Sequence, residues 1–414
     1  MTKQFNIKYT LKYALVQALY WLSVCSTNGF ASVFLLDRGY SNSTIGIMLA
    51  VSNIGAVVFQ PIVASFADKT KKLTLVEITA ILSIICAAFS ATLIFLLSGS
   101  LLLTVIAVLL SLLICSIQPL INSLFLQLED KKIYIYYGAA RASGSLAYAV
   151  FSLILGYLLE RYPTYILPIS ALCCCVGFTL AVILFWEKGA KKNNHQGSLS
   201  PSIAVTEQSE APSSLKDFVL NNKRFMVFLL GVVLIFFSHG DINNYIYQIV
   251  ISVNGTEKDM GLAVSIAAAV EIPAMVMITT LLKRFSCRTL IRISAVFFAL
   301  KNILLVVMNS VAGVYLSQAL QMVSYALFAP VSVYYVSALL NKKDSVKGQA
   351  FITTAINAGY GVASLAGGRL LDIYDASTML TMSMVVALAG AVVLFLSAEK
   401  VEIDITQATK KASS

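Results

Sequence analysis

Charged residues are scarce in this chain. Only 12% of its 414 residues are Asp, Glu, Lys or Arg, whereas 58% are apolar. A chain of this length with so little charge has more apolar surface than one water-soluble core can hide. The composition therefore excludes an ordinary soluble protein and indicates that the bilayer acts as solvent for part of the fold.

Sequence patterns of the common catalytic and nucleotide-binding sites are also missing. We find no glycine-rich phosphate loop, no zinc-spaced group of Cys and His and no nucleophile triad. The triplet Cys173–Cys174–Cys175 lies in an apolar run, where adjacent positions point to different faces of a helix. We therefore expect no enzyme activity, no metal and no cofactor.

The sequence is dominated by long apolar runs. Twelve of them are each long enough to cross about 30 Å of hydrocarbon as a helix. We predict an all-α integral membrane protein with twelve transmembrane helices. The predicted spans are residues 12–35, 44–66, 73–96, 101–127, 136–159, 164–186, 225–250, 258–281, 289–308, 311–339, 347–371 and 377–398.

Basic residues predict the orientation of these spans. With the N-terminus in the cytoplasm, 24 Lys and Arg fall on the cytoplasmic side and 4 fall outside. Both termini are then cytoplasmic, and the net charge of +10 lies mostly in loops that face anionic lipid. We expect a multi-pass protein of the cell membrane, in a bacterium the cytoplasmic membrane, and no nucleic-acid partner.

One pattern occurs twice, from Pro119 to Tyr162 and from Pro330 to Tyr374. Each copy has an apolar stretch, a lysine pair and a glycine, and it closes as Gly-x-Leu-Leu-acid-x-Tyr. Because the lysine pair follows the apolar stretch in both copies, the two halves should enter the membrane in the same direction. The predicted units are two parallel, pseudo-symmetric six-helix halves (1–187 and 219–400), a polar cytoplasmic linker (188–218) and a cytoplasmic tail (401–414).

Four charged residues lie at least five residues from either end of a predicted span: Arg141, Asp241, Glu271 and Lys301. A charge at the bilayer centre costs about 2.5 to 3.5 kcal/mol on insertion scales, so each one needs a partner, a water-filled cavity or a function. Glu271 precedes Pro273, whose missing backbone donor allows irregular helix beside a cavity. Burial disfavours a carboxylate anion, so Glu271 is the best proton carrier. The alternative is a structural ion pair with Lys301.

Arg141 and Tyr148 lie seven residues apart and therefore share a face of the fifth span. A guanidinium group can hydrogen-bond, and a phenol ring can stack, against a hydroxyl-rich ring or a nucleobase. The pair is a candidate substrate site. The alternative is an arginine bonded to helix-end carbonyls beside a packed tyrosine.

A polar stripe is predicted on the seventh span. Asp241, Asn244 and Gln248 fall at i, i+3 and i+7, which would be costly against lipid and should face a central cavity. Asp241 could share proton coupling with Glu271. His239 lies on another face and is interpreted mainly as a packing residue.

Neutral polar side chains lie in two further spans: Gln118 and Asn122 in the fourth, Gln321 and Ser324 in the tenth. They suit a polar, uncharged solute. Hydrogen bonding between helices is an equally simple interpretation.

Over essentially its whole length the chain resembles the major facilitator superfamily, and within it the lactose-permease-like branch of oligosaccharide and nucleoside proton symporters. The resemblance is carried by Phe59-Gln60-Pro61 followed by Asp68-Lys69, and by Tyr137-Gly138-Ala-Ala-Arg141-Ala-Ser-Gly144. It implies a gating role for Asp68 with Lys69. Tyr148 stands where the family has its sugar-stacking aromatic, Glu271 where it has its eighth-helix carboxylate, and Lys301 where it has a ninth-helix arginine.

The sequence departs from this family at several functional positions. Asn122 replaces a sugar-binding glutamate, and Gln321 and Ser324 replace the histidine and the proton-coupling glutamate of the tenth helix. The loop after the second span also lacks both family glycines. Lactose is therefore a poor candidate substrate, and proton coupling would depend on Glu271, with Asp241.

These observations predict a secondary active transporter that takes up a small polar solute, such as an oligosaccharide, glycoside or nucleoside, with a proton by alternating access. Its partners would be the solute, protons and membrane lipid, and we expect it to work as a monomer. Two alternatives stay open: a proton-antiport exporter of drugs or metabolites, and a membrane solute sensor that does not transport. An integral-membrane enzyme ranks last for want of a catalytic cluster.

Overall fold

A computed structural model describes residues 6–70, 73–130, 133–185 and 215–401. Most of the predicted linker (188–218) and nearly all of the predicted tail (401–414) lie outside these residues. So do both lysines of the first repeat copy, Lys131 and Lys132, and the side chains of Asp68 and Lys69.

The described chain is built from α-helices, with one π-helical turn (Cys25–Gly29) and one 3-10 turn (Leu320–Met322). The helices are α1 (Ile7–Val24), α2 (Ala31–Asp37), α3 (Asn42–Lys69), α4 (Leu75–Phe95), α5 (Leu101–Asp130), α6 (Tyr137–Leu159), α7 (Ile166–Phe185), α8 (Leu215–Asn221), α9 (Lys223–Asn244), α10 (Ile246–Ser252), α11 (Glu257–Arg284), α12 (Cys287–Met308), α13 (Val311–Ala319), α14 (Tyr325–Leu339), α15 (Lys342–Ile373) and α16 (Ala376–Ser397).

The helices confirm an all-α membrane protein. Ten spans in the described residues are long and apolar enough to cross a bilayer, and α1 with α2 supplies an eleventh across a bend of 41°. Helix α15 covers the predicted span 347–371 but is not among these apolar spans. The count of twelve and the cytoplasmic position of the termini stay predictions.

Three predicted spans are broken in the structure. The run 12–35 is interrupted between α1 and α2, where the π-helical turn ends and the chain bends by 41°. The run 225–250 is interrupted at Tyr245, between α9 and α10, and the run 311–339 is interrupted by the 3-10 turn before α14. Tyr245 is fully buried, and its hydroxyl donates a hydrogen bond to the backbone carbonyl of Ser364. Non-helical backbone is tolerated at such depth where protein surrounds it.

Side-chain caps set where several helices begin. Thr74 and Glu77 form a capping box at the start of α4. Asp375 accepts the backbone N–H of Thr378 at 2.7 Å at the start of α16. Because the carboxylate accepts this bond, the pKa of Asp375 lies below its usual value. Short polar residues between apolar runs therefore mark the start of these helices.

Helix α3 shows why the fold needs a bilayer. A row of large apolar side chains, recurring every three or four residues, is about half exposed along one face. The row consists of Ile47, Val51, Ile54, Val58, Ile62 and Phe66. Such a stripe is typical of a helix that presents one face to lipid.

Contacts within the chain cluster into two compact units. Unit 1 comprises Met1–Pro201 and Gly255–Ala269, and unit 2 comprises Ser202–Asn254 and Val270–Ser414. In unit 1, α1 packs against α6 and α7, and α4 packs against α5 and α7. In unit 2, α9 packs against α15 and α16, and α12 packs against α14 and α16.

Unit 2 has an aromatic core centred on α9. Phe225, Phe228 and Phe236 are fully buried in it, with Phe298 of α12 and Phe328 of α14. The spacing of the α9 residues places them on a face that α12 and α14 cover. Aromatic side chains bury large areas, so this face holds the unit together.

The contact between α9 and α15 depends on a glycine. A Cβ added to Gly359 would lie 2.7 Å from the carbonyl oxygen of Val233 and 2.9 Å from the backbone nitrogen of Phe237. Both neighbours are backbone atoms, which cannot rotate away as the end of a flexible side chain can. The added methyl group would therefore force the two helices apart.

We predict that Gly359→Ala destabilises the protein by about 1–3 kcal/mol, the usual cost of overpacking. Thermal unfolding in detergent would measure it. Gly138→Ala is the matched control, since a Cβ there meets nothing within 4 Å. Equal melting midpoints for the two variants would contradict the tight packing of α9 on α15.

Candidate functional site

Lys301 is the centre of a buried polar network in unit 2. Its side chain on α12 is completely inaccessible to solvent. Its Nζ donates to Oε1 of Gln318 at 3.1 Å and to Oε1 of Gln321 at 2.7 Å. Two amide oxygens thus supply hydrogen bonds that this ammonium group would otherwise take from water.

Gln321 links Lys301 to Glu271. An ammonium group has donors only, so it turns the amide oxygen of Gln321 toward itself and leaves the amide nitrogen to face away. That nitrogen donates to Oε1 of Glu271 at 3.1 Å. The three side chains form a row with a cation at one end and a carboxyl group at the other.

The backbone explains how these residues meet. Gln321 lies in the 3-10 turn that interrupts the predicted tenth span, and Gln318 lies one turn earlier on α13. Glu271 lies on α11 before Pro273, inside a helix whose bonding that proline weakens. A 3-10 turn and a proline-containing helix therefore flank the network.

The structure brings Gln321 together with Glu271 and Lys301, the two residues that the sequence analysis considered as an ion pair. Gln318 was not predicted. Its signal was available, because it lies three residues before Gln321 and the two amides share a helical face.

Asp241 is held elsewhere in unit 2. It is fully buried on α9, and Ser383 of α16 donates a hydrogen bond to its Oδ2 at 2.5 Å. Its Oδ1 has no hydrogen-bond partner among the described residues. A Cβ on Gly367 of α15 would collide with that oxygen. Asp241 therefore sits in a tight space where α9 meets α15 and α16.

The polar stripe of the seventh span is not continuous. Helix α9 ends at Asn244 and α10 begins at Ile246, so the seven-residue spacing of Asp241 and Gln248 does not follow one straight helix. The amide nitrogen of Asn244 donates to Ser364 Oγ at 2.9 Å. Gln248 is half-buried on α10. That this stripe faces a central cavity stays a prediction.

His239 lies in an aromatic environment, as its packing interpretation expects. Its ring stacks on Tyr325 with centroids 5.1 Å apart, and Nε2 lies 3.0 Å from the amide nitrogen of Asn243. The side chain is buried. These contacts suit a residue that positions α9.

Arg141 and Tyr148 of unit 1 are joined by a residue that the sequence analysis missed. The guanidinium carbon of Arg141 lies 4.7 Å from the ring centroid of Trp21 on α1, a cation–π distance. Tyr148 meets the same indole edge to face, with centroids 6.1 Å apart and planes at 76°. The alternative in which Arg141 caps helix-end carbonyls is not what the structure shows.

Two glycines leave space for the side chains of Trp21 and Tyr148. A Cβ on Gly144 would overlap the indole of Trp21, and a Cβ on Gly29 would lie 2.5 Å from the hydroxyl oxygen of Tyr148. Arg141, Gly144 and Tyr148 recur at i, i+3 and i+7, so Trp21 lies along one face of α6. The signal for Trp21 was its position inside a span, since membrane tryptophans favour the interfaces.

Two donors in this group lack acceptors. Trp21 Nε1 and Arg141 Nη1 are buried atoms with no hydrogen-bond partner among the described residues. A buried donor without an acceptor is costly. Because an indole N–H and a guanidinium can only donate, their chemistry suits a ligand with hydroxyl or carbonyl oxygens.

The remaining predicted site residues make few contacts in the described structure. Gln118 is half-buried and Asn122 is exposed on α5, and neither side chain hydrogen-bonds to a residue that the structure describes. Asp68 and Lys69 end α3, with side chains outside the described residues. In the described parts of the chain, no group of three or more His, Cys, Asp or Glu could hold a metal ion.

Comparison with known proteins gives consistent results. The model of the MFS_1 like family matches residues 10–396. A maltose permease of Geobacillus stearothermophilus is 25% identical over 373 residues, 89% of each chain. An uncharacterized transporter of Bacillus subtilis, YwbF, is 23% identical over 396 residues, 93% of each chain.

Solved structures share the fold. A mutant form of the nucleoside transporter NupG superposes with a TM-score of 0.79 at 16% identity, over 94% of this chain and 100% of that one. A bacterial homologue of the iron transporter ferroportin, in an inward-facing state, gives a TM-score of 0.71 at 13% identity, over 96% and 100%.

The network around Lys301 makes a testable stability prediction. Gln318→Leu removes one of the acceptors of a buried cation and should cost about 1.5–3 kcal/mol, the usual range for a hydrogen bond to a charged group. Thermal unfolding in detergent measures it. In a Lys301→Met background the same substitution should cost much less, because the cation is gone.

Gln118→Leu is the control for this experiment. This amide has no hydrogen bond to a described residue, so its loss should change stability by about 0.5 kcal/mol or less. An unchanged cost of Gln318→Leu in the presence and absence of Lys301 would show that the two side chains do not interact.

Proposed function

The chain belongs to the MFS_1 like family, whose members are membrane transporters rather than enzymes, and on this basis we propose that it takes up a small polar solute together with a proton. The proposed solute is an oligosaccharide, a glycoside or a nucleoside. Maltose and a nucleoside are the solutes in the names of a relative and of a structural neighbour, which supports this class.

The observation that carries the proposed substrate class is the group around Trp21. The indole and the ring of Tyr148 offer apolar surfaces on which a sugar or base can pack. The free donors of Trp21 and Arg141 require oxygen acceptors, which hydroxyl groups and carbonyls provide. No carboxylate of the described residues is among their contacts, so a neutral solute need not displace an ion pair.

Glu271 is the proposed proton carrier. It lies at the end of a row in which Gln321 stands between it and Lys301. The amide of Gln321 thus joins the carboxyl group of Glu271 to the buried ammonium group of Lys301. Asp241 is a second proposed participant, buried with one hydroxyl partner.

In the proposed cycle, Glu271 takes up a proton from outside and the solute binds against Arg141, Trp21 and Tyr148. Alternating access by two six-helix halves then exposes both to the inside, where the proton leaves. Asp68 and Lys69 are the proposed gating residues, and Asn122, Gln118, Asn244, Gln248 and Gln321 are proposed polar contacts along the path. The proposed location is the cell membrane, with the monomer as the working unit.

We predict that Glu271→Gln abolishes accumulation of solute against its gradient but leaves exchange of solute across the membrane. Glutamine mimics the protonated carboxyl group and cannot release a proton. Radiolabelled maltose and uridine, tested in proteoliposomes with an imposed pH gradient, would give both rates.

Glu257→Gln is the control, since Glu257 lies in the first turn of the same helix, far along the chain from Glu271. It should accumulate solute normally. Normal accumulation by Glu271→Gln would overturn the assignment of the proton carrier without changing the proposed substrate class.

We also predict weaker solute binding when the donors near Trp21 are altered. Arg141→Lys replaces a planar fork with a point charge, and Trp21→Phe keeps a ring but removes the N–H. Each should raise the dissociation constant about tenfold, since one net hydrogen bond is worth about 1 kcal/mol or somewhat more. Ligand-induced thermal stabilisation measures binding without assuming a direction of transport.

Tyr157→Phe, at an exposed position of α6, should leave affinity unchanged. Equal affinities in all variants would return Trp21 and Arg141 to a packing role. Absence of binding by maltose and uridine to folded wild-type protein would instead favour an exporter of drugs or metabolites.

A further inference from the structure

Three arginines converge at one end of unit 2. Arg224 lies at the start of α9, and Arg288 and Arg292 lie one turn apart near the start of α12. Arg292 lies over the ring of Phe395 and Arg224 donates to the carbonyl oxygen of Leu396, so both meet the end of α16. Sequence analysis predicts this end of the helices to be cytoplasmic.

Arg224 already has protein partners. Its Nε donates to the carbonyl oxygen of Ser397 at 3.2 Å and its Nη2 to that of Leu396 at 3.3 Å, where α16 ends. Glu399 lies 3.9 Å from its Nε. The last carbonyls of a helix attract cations, so Arg224 has a structural role in fastening α16 to α9.

Arg288 and Arg292 differ from Arg224 in this respect. The Nε atoms of both are buried and have no hydrogen-bond partner in the described part of the chain. Arg292 lies over the ring of Phe395, with its guanidinium carbon 4.1 Å from the centroid. Two adjacent guanidinium groups therefore present donors that require an anionic or carbonyl acceptor.

Charge balance points to an anion. Among the residues that the structure describes, Glu399 is the one carboxylate in an ion pair with this cluster, and it pairs with Arg224. Two like charges one helical turn apart repel, and an anion between them removes that repulsion. Guanidinium groups match the oxygens of phosphate in a forked geometry.

Apolar surface surrounds the two arginines. Phe395 and Leu396 of α16 and Val296 of α12 are each about half exposed or more. On a membrane helix such residues face acyl chains. A phosphate group close to acyl chains is the chemistry of a phospholipid.

We propose that Arg288, Arg292 and Phe395 form a binding site for the headgroup of an anionic phospholipid. The guanidinium groups donate to the phosphate oxygens, and an acyl chain lies along the exposed apolar side chains of α12 and α16. Anionic lipids are concentrated in the cytoplasmic leaflet, and basic pockets between membrane helices bind their headgroups.

The test uses full-length protein, delipidated in detergent, and dioleoylphosphatidylglycerol as the probe. Native mass spectrometry counts bound lipid, and thermal unfolding gives affinity. We expect wild-type protein to bind this lipid in preference to dioleoylphosphatidylcholine. Arg288→Gln/Arg292→Gln should weaken binding about 25-fold, since each arginine near an anionic surface contributes about fivefold.

Lys283→Gln/Arg284→Gln is the matched control, because it removes the same charge from exposed positions at the end of α11. It should retain full binding. Equal losses in the two double variants would show a general surface effect and overturn the site. If the first double variant does not fold, Arg292→Lys is measured instead, and unchanged affinity there would overturn the forked contact.

Two further experiments distinguish the lipid from other groups that could bind the arginines, namely a free phosphate ion and the carboxylates that follow α16 in the sequence. Inorganic phosphate at the same concentration should stabilise the protein little, and stabilisation equal to that by the lipid would mean a simple anion site. The sequence also places Glu402 and Asp404 just after α16. Glu402→Gln/Asp404→Asn should leave lipid affinity unchanged, and a gain above about fivefold would show that these carboxylates occupy the cluster.

Discussion

The burial of Lys301 is the constraint on which the rest of unit 2 depends. An ammonium group without solvent access must receive hydrogen bonds from the protein, and here two glutamine amides provide them. This requirement fixes which way the amide of Gln321 points, and thereby gives Glu271 a donor. The 3-10 turn at Leu320–Met322 places Gln321 between Lys301 and Glu271.

The two candidate sites differ in how their polar groups are bonded. In unit 2 Lys301 and Glu271 have hydrogen-bond partners from neighbouring helices, whereas Asp241 has a partner for only one of its carboxyl oxygens among the described residues. In unit 1 the donors of Trp21 and Arg141 lack acceptors among the described residues although they are buried. The hydrogen-bonded row of Lys301, Gln321 and Glu271 is compatible with a group that exchanges a proton, and the unpartnered donors of Trp21 and Arg141 are compatible with a ligand-binding group. This contrast underlies the division of roles in the proposed function.

Sequence alone predicts the membrane helices well, because length and apolar content decide whether a segment can cross a bilayer. It also singles out Glu271 and Lys301, since charges in such segments are rare. The breaks at Tyr245 and at Leu320–Met322 escaped prediction because neither break contains a proline or a glycine. Contacts such as that of Trp21 with Arg141 join helices far apart in the chain, so no local pattern reveals them.

The central claim is that solute and proton move together, and proton flux tests it most directly. Proteoliposomes in weak buffer, with the membrane potential clamped, would receive maltose or uridine while a pH electrode records the external solution. The account predicts that a transported solute makes the external pH rise as protons enter with it, with the same concentration dependence as solute uptake. Uptake of either solute with no change in external pH would contradict proton coupling.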